Sequence, residues 1–454
     1  SRALWCTGSM GAAGSKTQRL EKALGSSFPG DEHFYGLENF GNTCYCNSVL
    51  QASAACALSA ASPSTGPACP RTHLDAPTSL VQALYYCKPL RERCIDFQQA
   101  CAANGSDEDD LLSCLCELFL SISTQRRRCG VHAPRRFITK LRAENELFNN
   151  QMHQDAHEFL NYLLNEAAEL LEKREKAKAR PNAGGGGESS AAGSSSDGEG
   201  GGGSGTKPRP YRAKTWIHSI FEGVLTNETR CLCCETVTSR DECFLDLSLE
   251  IEQNSSVSAC MRKFSGNEPL RDSNKFFCDT CCSLQEANKC MRIKRLPNVL
   301  ALHLKRFKYI EQLQRFKKLS YRISFPHELK LTNTSDATDN PDRLYSLFAV
   351  VVHVGSGPNH GHYISLVRSH THWLLFDDDS VELIDEANIQ SCFGSSVDTA
   401  ANTDTGYILF YQCDDASWDS SADPPEVVAA AVGAAAAAAA APPPTRGKGS
   451  RAAS

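Results

Sequence analysis

The pattern of hydrophobic and polar positions predicts helices in the first half of the chain and strands in the second. Apolar residues recur every three or four positions over 110–124 and over 154–178, which is typical of helices with one buried face. After residue 210, short apolar runs rich in β-branched and aromatic residues alternate with turn-forming residues. Such runs are typical of strands, and they lie at 299–304, 347–354, 363–367, 373–376 and 407–411.

Segments of biased composition interrupt this pattern and set the predicted domain boundaries. Residues 1–33 are a predicted flexible tail, 34–413 one ordered domain, and 414–454 an Ala- and Pro-rich tail without an amphipathic pattern. Inside the domain, residues 179–210 are dominated by Gly, Ser and Pro. That composition cannot build a packed core and predicts disorder.

A second unusual stretch, 52–82, separates two similar apolar segments. It is rich in Ala, Ser, Pro and Thr and lacks helical periodicity, whereas the residues around it suit one helix from Asn47 to Cys87. Val49-Leu-Gln-Ala52 is echoed by Leu80-Val-Gln-Ala83. We interpret the stretch as an insert, either a surface loop that projects from the helix or an artefact of gene prediction.

Composition and charge narrow the possible partners. The net charge of −6 over 454 residues gives no electrostatic basis for nucleic-acid binding. No apolar run is long enough to span a bilayer, and no secretory signal is recognisable near the start. The 22 cysteines, several in C-x-x-C spacing, therefore favour reduced thiols and a bound metal over disulfides. These features predict a location in the cytoplasm, the nucleus or both.

The start of the chain contains a pattern for N-terminal lipidation. Met10-Gly-Ala-Ala-Gly-Ser15 fits the myristoylation pattern M-G-x-x-x-[ST], with Gly11 as the acceptor if Met10 is the initiating residue. A single acyl chain predicts only weak, reversible association with membranes.

The segment Gly36-Leu-Glu-Asn-Phe-Gly-Asn-Thr-Cys-Tyr45 supplies a candidate nucleophile. A turn-prone run delivers Cys44 to the start of an apolar, helix-compatible segment. Unpaired backbone N–H groups and the helix dipole at such a position stabilise a thiolate and lower the pKa of the thiol. Asn39 and loop amides are candidate donors to an oxyanion. The alternative is that Cys44 is one buried cysteine among many.

A candidate base and its orienting acid lie near the other end of the domain. Gly355-Ser-Gly-Pro-Asn-His-Gly-His-Tyr-Ile364 leads into a strand with His362, and Trp373-Leu-Leu-Phe-Asp-Asp-Asp-Ser380 ends a second strand with acidic residues. If these strands are neighbours, Asp377 can fix the tautomer of His362, which can then take the proton from Cys44. The alternatives are a structural histidine and a solvated acidic turn.

Two cysteine pairs predict a metal site. Cys231-Leu-Cys-Cys234 and Cys278-Asp-Thr-Cys281 have the spacing of a closed structural zinc site with four thiolates. Cys233 and Cys282 lie beside them, and a register that uses Cys282 is an alternative. Buried thiols without a metal are the other interpretation.

Together these segments resemble the ubiquitin-specific protease family of deubiquitinating enzymes over about 34–412. The segment ending at Tyr45 resembles the N-terminal box, and Gln154-Asp-Ala-His-Glu-Phe-Leu160 resembles the middle box. The strands with His362 and Asp377 resemble the C-terminal box, and Leu302-His-Leu-Lys-Arg-Phe307 is a further family string. Asn145-Glu-Leu-Phe148 and Asn227-Glu-Thr-Arg-Cys231, with the second cysteine pair, are most similar to the subgroup activated by WD-repeat propeller proteins.

The resemblance implies an α+β fold: a papain-like cysteine protease core with a helical thumb, a β-rich palm and zinc-bearing β fingers over about 216–300. It implies hydrolysis of isopeptide and peptide bonds at the C-terminal glycine of ubiquitin through a thioester. It also implies a structural zinc and no catalytic cofactor. The implied partners are ubiquitin, ubiquitinated proteins and a WD-repeat activator. By motif position, the site residues are the nucleophile Cys44, the base His362, the orienting acid Asp377 with Asp378 as helper, the oxyanion donor Asn39, the substrate contacts Gln154, Asp155 and Tyr363, and the zinc ligands Cys231, Cys234, Cys278 and Cys281.

Two other functions are weighed against this one. A catalytically impaired ubiquitin-binding module would result if the insert disrupts the nucleophile helix, but intact Cys44, His362 and Asp377 argue against it. An unrelated papain-like peptidase would act on ordinary peptides, but such an enzyme has no need of a zinc-stiffened arm.

Overall fold

The structure, a computed structural model, describes residues 20–23, 32–38, 76–105, 108–149, 154–178, 214–357, 360–396 and 404–414. The α-helices with both ends in these ranges are α1 (Ala76–Tyr85), α2 (Lys88–Asn104), α3 (Leu111–Ser123), α4 (Arg135–Glu144), α5 (Ala156–Lys178), α6 (Trp216–Phe221) and α7 (Val257–Phe264). The strands are β1 (Phe34–Leu37), β2 (Cys129–His132), β3 (Gly223–Cys231), β4 (Val237–Phe244), β5 (Leu247–Leu249), β6 (Ser255–Ser256), β7 (Glu268–Leu270), β8 (Phe276–Cys278), β9 (Ser283–Gln285), β10 (Ala287–Arg295), β11 (Val299–Leu304), β12 (Phe307–Ile310), β13 (Arg315–Lys318), β14 (Ile323–Ser324), β15 (Glu328–Lys330), β16 (Leu344–Gly357), β17 (His360–Ser369), β18 (His372–Asp377), β19 (Ser380–Ile384) and β20 (Thr405–Cys413).

The two helices predicted from apolar periodicity are confirmed as α3 and α5. The Asp110 carboxylate caps α3 by accepting a hydrogen bond of 2.8 Å from the Ser113 N–H, which satisfies one of the donors left open at a helix start. Arg174 of α5 donates to the same carboxylate over 2.5 Å and so joins the two helices. Among the helices that the structure describes, none has the length and apolar character needed to cross a membrane.

The strands predicted in the second half all join one sheet. Its order is β19-β18-β17-β16-β20-β11-β5, with β15 paired to β16. Side chains on alternate positions of a strand point to opposite faces, and both faces of this sheet are buried. Val351 and Phe376 pack on the helical side, whereas Val350 and Leu375 pack in a second core on the other side. Burial on both faces explains why β11 is apolar except at His303.

A second sheet, of order β4-β3-β10-β7, forms the predicted fingers region. Its β3 and β10 are antiparallel, with Cys231 opposite Ala287. The short hairpin of β8 and β9 lies between them in sequence, and β8 ends at Cys278. The mixed helix-and-sheet fold therefore agrees with the α+β prediction.

The predicted extent of the insert is wrong at its C-terminal end. Residues 76–82 belong to α1, which continues to Tyr85. The helix forms because Leu80, Val81 and Leu84 are buried in the helical core, each at most 2% exposed. Residues 52–75 lie outside the described part of the chain, as do the stretch 179–210 and the predicted tails apart from 20–23, 32–33 and Asp414.

The strand β1 lies directly against the turn that joins β18 and β19. The Leu37 N–H donates to the Asp378 carbonyl over 2.9 Å. A Cβ on Gly36 would lie 2.3 Å from the backbone of Asp379, so only glycine permits this approach. The N-terminal box therefore begins beside the acidic turn.

Candidate active site

The structure brings His362 and Asp377 together, as the sequence predicts. They lie on the antiparallel strands β17 and β18, where Ser365 faces Phe376. That register puts the two side chains on diagonal positions of one face. The His362 Nε2 and the Asp377 Oδ1 are 2.6 Å apart, a short distance typical of a hydrogen bond to a charged group. This bond fixes the orientation of the imidazole.

Asp378 shapes the same corner of the site, mainly through its backbone. It has a left-handed φ of 51° in the turn after β18. Its carbonyl oxygen accepts hydrogen bonds of 2.9 Å from the Leu37 N–H and from the Gln82 Nε2. One of its carboxylate oxygens lies within 4.8 Å of a ring nitrogen of His362 and of a carboxylate oxygen of Asp377. Asp378 thus connects the acidic turn to β1 and α1.

The predicted nucleophile and oxyanion donor, Cys44 and Asn39, lie outside the described residues. The described residues stop at Glu38, one residue after β1, and resume at Ala76, where α1 begins. Both flanks of the segment between them contact the turn beside Asp377, because Leu37 and Gln82 each donate to the Asp378 carbonyl. Leu37 and Gln82, one on each side of the segment, are therefore held close to the His362–Asp377 pair.

A hairpin of β12 and β13 is anchored to the strand that precedes His362. Lys318, only 3% exposed, donates from Nζ to the carbonyls of His353 and Gly355, both over 2.8 Å. Arg306 is fully buried and donates to the Gly406, Leu319 and Tyr321 carbonyls over 2.6, 3.1 and 3.0 Å. These two side chains hold the loops around the site in one arrangement, since a buried carbonyl without a donor is destabilising.

The predicted substrate contacts occupy the neighbouring helix start and strand. Gln154 is buried and donates to the Leu147 carbonyl over 2.6 Å. Asp155 accepts from the His157 N–H over 2.7 Å and from the Tyr407 hydroxyl over 2.5 Å. Tyr363 is 2% exposed and packs on Tyr407, which leaves its ring little surface for a substrate. Asp155, by contrast, borders a cavity.

The cavity has a volume of about 260 Å³ and is lined by Asp155, His157, Glu158, His303, Lys305, Phe307 and Tyr407. Burial raises the pKa of Asp155 although the Tyr407 hydroxyl opposes the shift. Sequence reasoning missed His303 and Tyr407 as parts of this site. His303 was visible only as a member of the 302–307 string, and Tyr407 only as an apolar strand residue.

Two histidines stack at the wall of this cavity. The rings of His157 and His303 have centroids 3.7 Å apart and planes inclined by 17°. His157 Nε2 lies 2.7 Å from the Asp246 carboxylate, and His303 Nδ1 lies 2.8 Å from the Ser248 hydroxyl. Burial, assisted by the charge of His157, holds the pKa of His303 well below its usual 6.5. His303 is therefore neutral in the folded protein at neutral pH.

This pKa shift predicts a loss of stability in mild acid. The unfolded chain binds a proton at His303 more tightly than the folded chain does. The contribution of neutral His303 to the free energy of unfolding is therefore complete above pH 6.5 and is lost as the pH falls below that value. We expect the melting temperature of the wild type to fall more between about pH 7 and about pH 5 than that of His303→Gln, which cannot titrate. Parallel pH profiles of the two melting temperatures would contradict this account.

The four predicted metal ligands form one cluster. The sulfur atoms of Cys231, Cys234, Cys278 and Cys281 all lie within 4.8 Å of one another, and those of Cys234 and Cys278 are 3.5 Å apart. A tetrahedral ion with bonds of about 2.3 Å separates its sulfur ligands by about 3.8 Å. The cluster therefore fits a metal ion. The alternative register with Cys282 is wrong, because Cys281 supplies the fourth sulfur and Cys282 is exposed.

Sequence and structure comparisons agree with this geometry. The family described as ubiquitin carboxyl-terminal hydrolase (UCH) matches residues 75–411. Ubiquitin carboxyl-terminal hydrolase 4 of Arabidopsis thaliana is 54% identical over 404 residues, which cover 89% of this chain and 99% of that protein. Ubiquitin carboxyl-terminal hydrolase 12 of Salmo salar is 50% identical over 403 residues, which cover 88% of this chain and 96% of that protein.

Solved structures with the same fold include the "SAGA Ubp8/Sgf11/Sus1/Sgf73 DUB module bound to ubiquitin aldehyde". The TM-score of this match is 0.59 at 21% sequence identity, and the match covers 88% of this chain and 74% of that one. A second structure of this module, bound to monoubiquitin, gives a TM-score of 0.58 at 23% identity and covers 85% of this chain and 70% of that one. The family match and these relatives define the class of the protein as a cysteine-type hydrolase. The chain belongs to the ubiquitin carboxyl-terminal hydrolase family.

Proposed function

We propose that the protein is a deubiquitinating cysteine protease that hydrolyses isopeptide and peptide bonds after the C-terminal glycine of ubiquitin. The observation that carries the proposal is the 2.6 Å contact between His362 and Asp377 in a chain of this family. A base held by a carboxylate is what a cysteine nucleophile requires. Cys44 is the residue we assign as that nucleophile.

The reaction has two stages. Because Nε2 of His362 bonds Asp377, Nδ1 is the nitrogen that takes the proton from the Cys44 thiol. The thiolate attacks the carbonyl carbon of the last glycine, while Asn39 and backbone N–H groups stabilise the oxyanion. His362 then gives its proton to the leaving amine, and a thioester remains. In the second stage His362 activates a water molecule, which releases ubiquitin and regenerates the thiol.

We propose that the cavity beside Asp155 receives the C-terminal tail of ubiquitin. The carboxylates of Asp155 and Glu158 suit the basic residues of that tail, and Phe307 and Tyr407 supply an apolar wall. Gln154 supports the entrance through its bond to the Leu147 carbonyl. The two glycines that end ubiquitin fit a narrow passage, which would exclude ordinary peptides.

Substrate comparison tests this function. We expect hydrolysis of a fluorogenic amide of full-length ubiquitin, and much lower kcat/KM for a fluorogenic amide of a short peptide from the end of ubiquitin alone. Similar rates for the short amide and for unrelated peptide amides would favour the ordinary peptidase. Binding of ubiquitin without any cleavage would instead favour the catalytically impaired binding module, an alternative supported by the start of the family match at residue 75, beyond Cys44.

We further propose that the cysteine cluster holds zinc and that a WD-repeat propeller protein docks on the fingers and raises activity. Sequence similarity to the WD-repeat-activated subgroup supports the partner. A pair of exposed apolar side chains near the cluster also supports it, since Phe277 is 56% and Leu284 60% exposed and the two face each other across β8 and β9.

Titration with such a propeller protein tests the docking. We expect kcat/KM of the wild type to rise to a plateau, and the rise to be lost in Phe277→Ser. Leu344→Ser removes another exposed apolar residue, 38% exposed and outside the fingers, and serves as the matched control. No increase with the wild type, or equal increases with both variants, would contradict docking at this surface.

Location and lipidation complete the proposal. We propose that the protein acts in the cytoplasm, the nucleus or both, and that Gly11 carries a myristoyl group when Met10 is the initiating residue. The motif at 10–15 supports lipidation. One acyl chain would give reversible membrane association.

A further inference from the structure

The fingers sheet, of order β4-β3-β10-β7, meets the helical layer at a buried pair of opposite charges. Glu222 lies between α6 and β3 and is 4% exposed. Its Oε1 accepts a hydrogen bond of 2.7 Å from the Arg295 Nη2 at the end of β10. Burial lowers the pKa of His218, whose Nε2 lies 3.8 Å from the other carboxylate oxygen, so Arg295 is the charged partner at neutral pH. One buried carboxylate therefore joins the end of α6 to β3 and β10.

Three strands of the fingers sheet start or end beside this pair. In the register of β3, Val224 is opposite both Cys243 of β4 and Arg295 of β10. A Cβ on Gly223 would lie 2.2 Å from the ring of Phe244, so only glycine lets that ring close over the start of β3. The three strands therefore leave the body of the domain from one point, next to the buried pair.

The segment that follows β10 is held by hydrogen bonds and leads to the cavity lined by His303. Asn298 donates from Nδ2 to the Ser219 carbonyl over 2.9 Å, and the Tyr345 hydroxyl donates to the Pro297 carbonyl over 2.6 Å. The next strand, β11, carries His303 of the cavity wall. The base of the fingers and the wall of the cavity are thus consecutive parts of the chain, and a folded protein whose tail lies in the cavity has the fingers beside it.

A second attachment of the fingers is made by the backbone of one residue. Ile293 is fully buried; its N–H donates to the Asn333 carbonyl and its carbonyl accepts from the Ser335 N–H, both over 2.9 Å. Pairing at one residue allows rotation about that residue, whereas the buried ion pair beside it fixes the angle. From this base β3 runs nine residues to Cys231, about 30 Å. A rotation of about 5° at the base would therefore move the cysteine cluster by about 2.6 Å.

We propose that the pair of Glu222 and Arg295 fixes the angle of the fingers and so positions them to contact the globular part of ubiquitin while its tail lies in the cavity. Both are positioning residues, since neither lines the cavity nor belongs to the His362–Asp377 pair. A flexible arm loses conformational entropy when it binds, so a fixed angle strengthens binding without changing the chemical step. The inference rests on the proposed function and adds the fingers as a second contact for ubiquitin.

Substitution of Arg295 by Lys and by Met gives the sharpest comparison, because the two replacements have similar length and differ in charge. We expect Arg295→Lys to keep KM for the ubiquitin amide near that of the wild type, and Arg295→Met to raise it about tenfold with kcat nearly unchanged. Glu222→Gln should raise KM in the same way; if it fails to fold, the two Arg295 variants decide alone. Equal KM values for these two variants would overturn the inference, because a residue that only fills space tolerates either.

Two controls separate a positioning effect from general damage to the protein. Lys294 and Asp241 form a neighbouring ion pair between β10 and β4, but their side chains are 43% and 44% exposed, so Asp241→Asn should leave KM unchanged. The short peptide amide from the end of ubiquitin reaches only the cavity, so Arg295→Met should cleave it as the wild type does. An equal loss of kcat/KM for the short amide and the ubiquitin amide, or an equal rise in KM in Asp241→Asn, would overturn the inference.

Binding of free ubiquitin, measured by calorimetry, gives a readout that does not depend on cleavage. We expect Kd to be about tenfold higher in Arg295→Met than in the wild type and nearly unchanged in Arg295→Lys, while both variants keep the zinc content of the wild type. If Kd follows this order but no variant cleaves ubiquitin amide, the proposed function fails and the positioning role stands. If the wild type cleaves ubiquitin amide and Arg295→Met binds ubiquitin equally well, the proposed function stands and the positioning role is refuted.

Discussion

Cys44→Ala and His362→Gln are each expected to lower kcat/KM for the fluorogenic ubiquitin amide by about 10⁴- to 10⁶-fold, because a nucleophile and its base act as one unit. The double variant should be no slower than the slower single variant, since the first change already removes the pathway that the second would impair. Asp377→Asn should lower kcat/KM by about 10²- to 10⁴-fold, because it keeps the shape of the side chain but loses the charge that holds His362.

The structure gives these effects a geometric basis. Asp377 contacts His362 over 2.6 Å, and the strands that carry them are paired through several residues. The substitutions at both positions should therefore leave the melting temperature nearly unchanged, which separates a catalytic loss from a folding defect. Effects of the Cys44 and His362 variants that multiply in the double variant would contradict a shared mechanism.

Cys231→Ser is expected to remove the bound metal and to disorder the fingers. Structural zinc contributes about 10–16 kcal/mol to the folding of small zinc domains, far more than the short hairpin of β8 and β9 can supply by its own contacts. We expect one zinc per chain in the wild type by elemental analysis and none in the variant. On our proposal that ubiquitin also contacts the fingers, KM for ubiquitin amide should rise by an order of magnitude or more while kcat falls less, because His362 and Asp377 lie on the other sheet.

The adjacent Cys233 offers a matched control. It is exposed and does not belong to the cluster, so Cys233→Ser should keep both the zinc and the KM of the wild type. Retention of zinc by Cys231→Ser, or loss of zinc in both variants, would contradict the assignment of the four ligands.

Much of the fold could be predicted because its long elements have clear periodicity. The helices α3 and α5 bury one face, and the central strands are apolar runs between turns. The contact of His362 with Asp377 could be predicted because only a tight turn separates β17 from β18 in sequence. Ligand spacing, which is strict for tetrahedral sites, predicted the cluster of Cys231, Cys234, Cys278 and Cys281.

Features that depend on distant contacts could not be predicted. The bond between Tyr407 and Asp155 joins residues 252 positions apart, and no local pattern marks it. The stacking of His157 on His303 likewise arises only when α5 meets β11. The start of α1 at Ala76 was missed because the preceding residues are rich in Pro and Ala, while the helix is stabilised by burial of Leu80 and Val81 against the sheet rather than by its own propensity.

The most direct test of the central claim is to locate the cysteine that reacts with ubiquitin. The chain has 22 cysteines, so labelling with a ubiquitin vinyl probe, followed by proteolysis and mass spectrometry, compares one candidate with all the others as internal controls. We predict a single adduct on the peptide that contains Cys44, formed more slowly in Asp377→Asn and absent in Cys44→Ala. An adduct on a different cysteine, or labelling that persists in Cys44→Ala, would contradict the account.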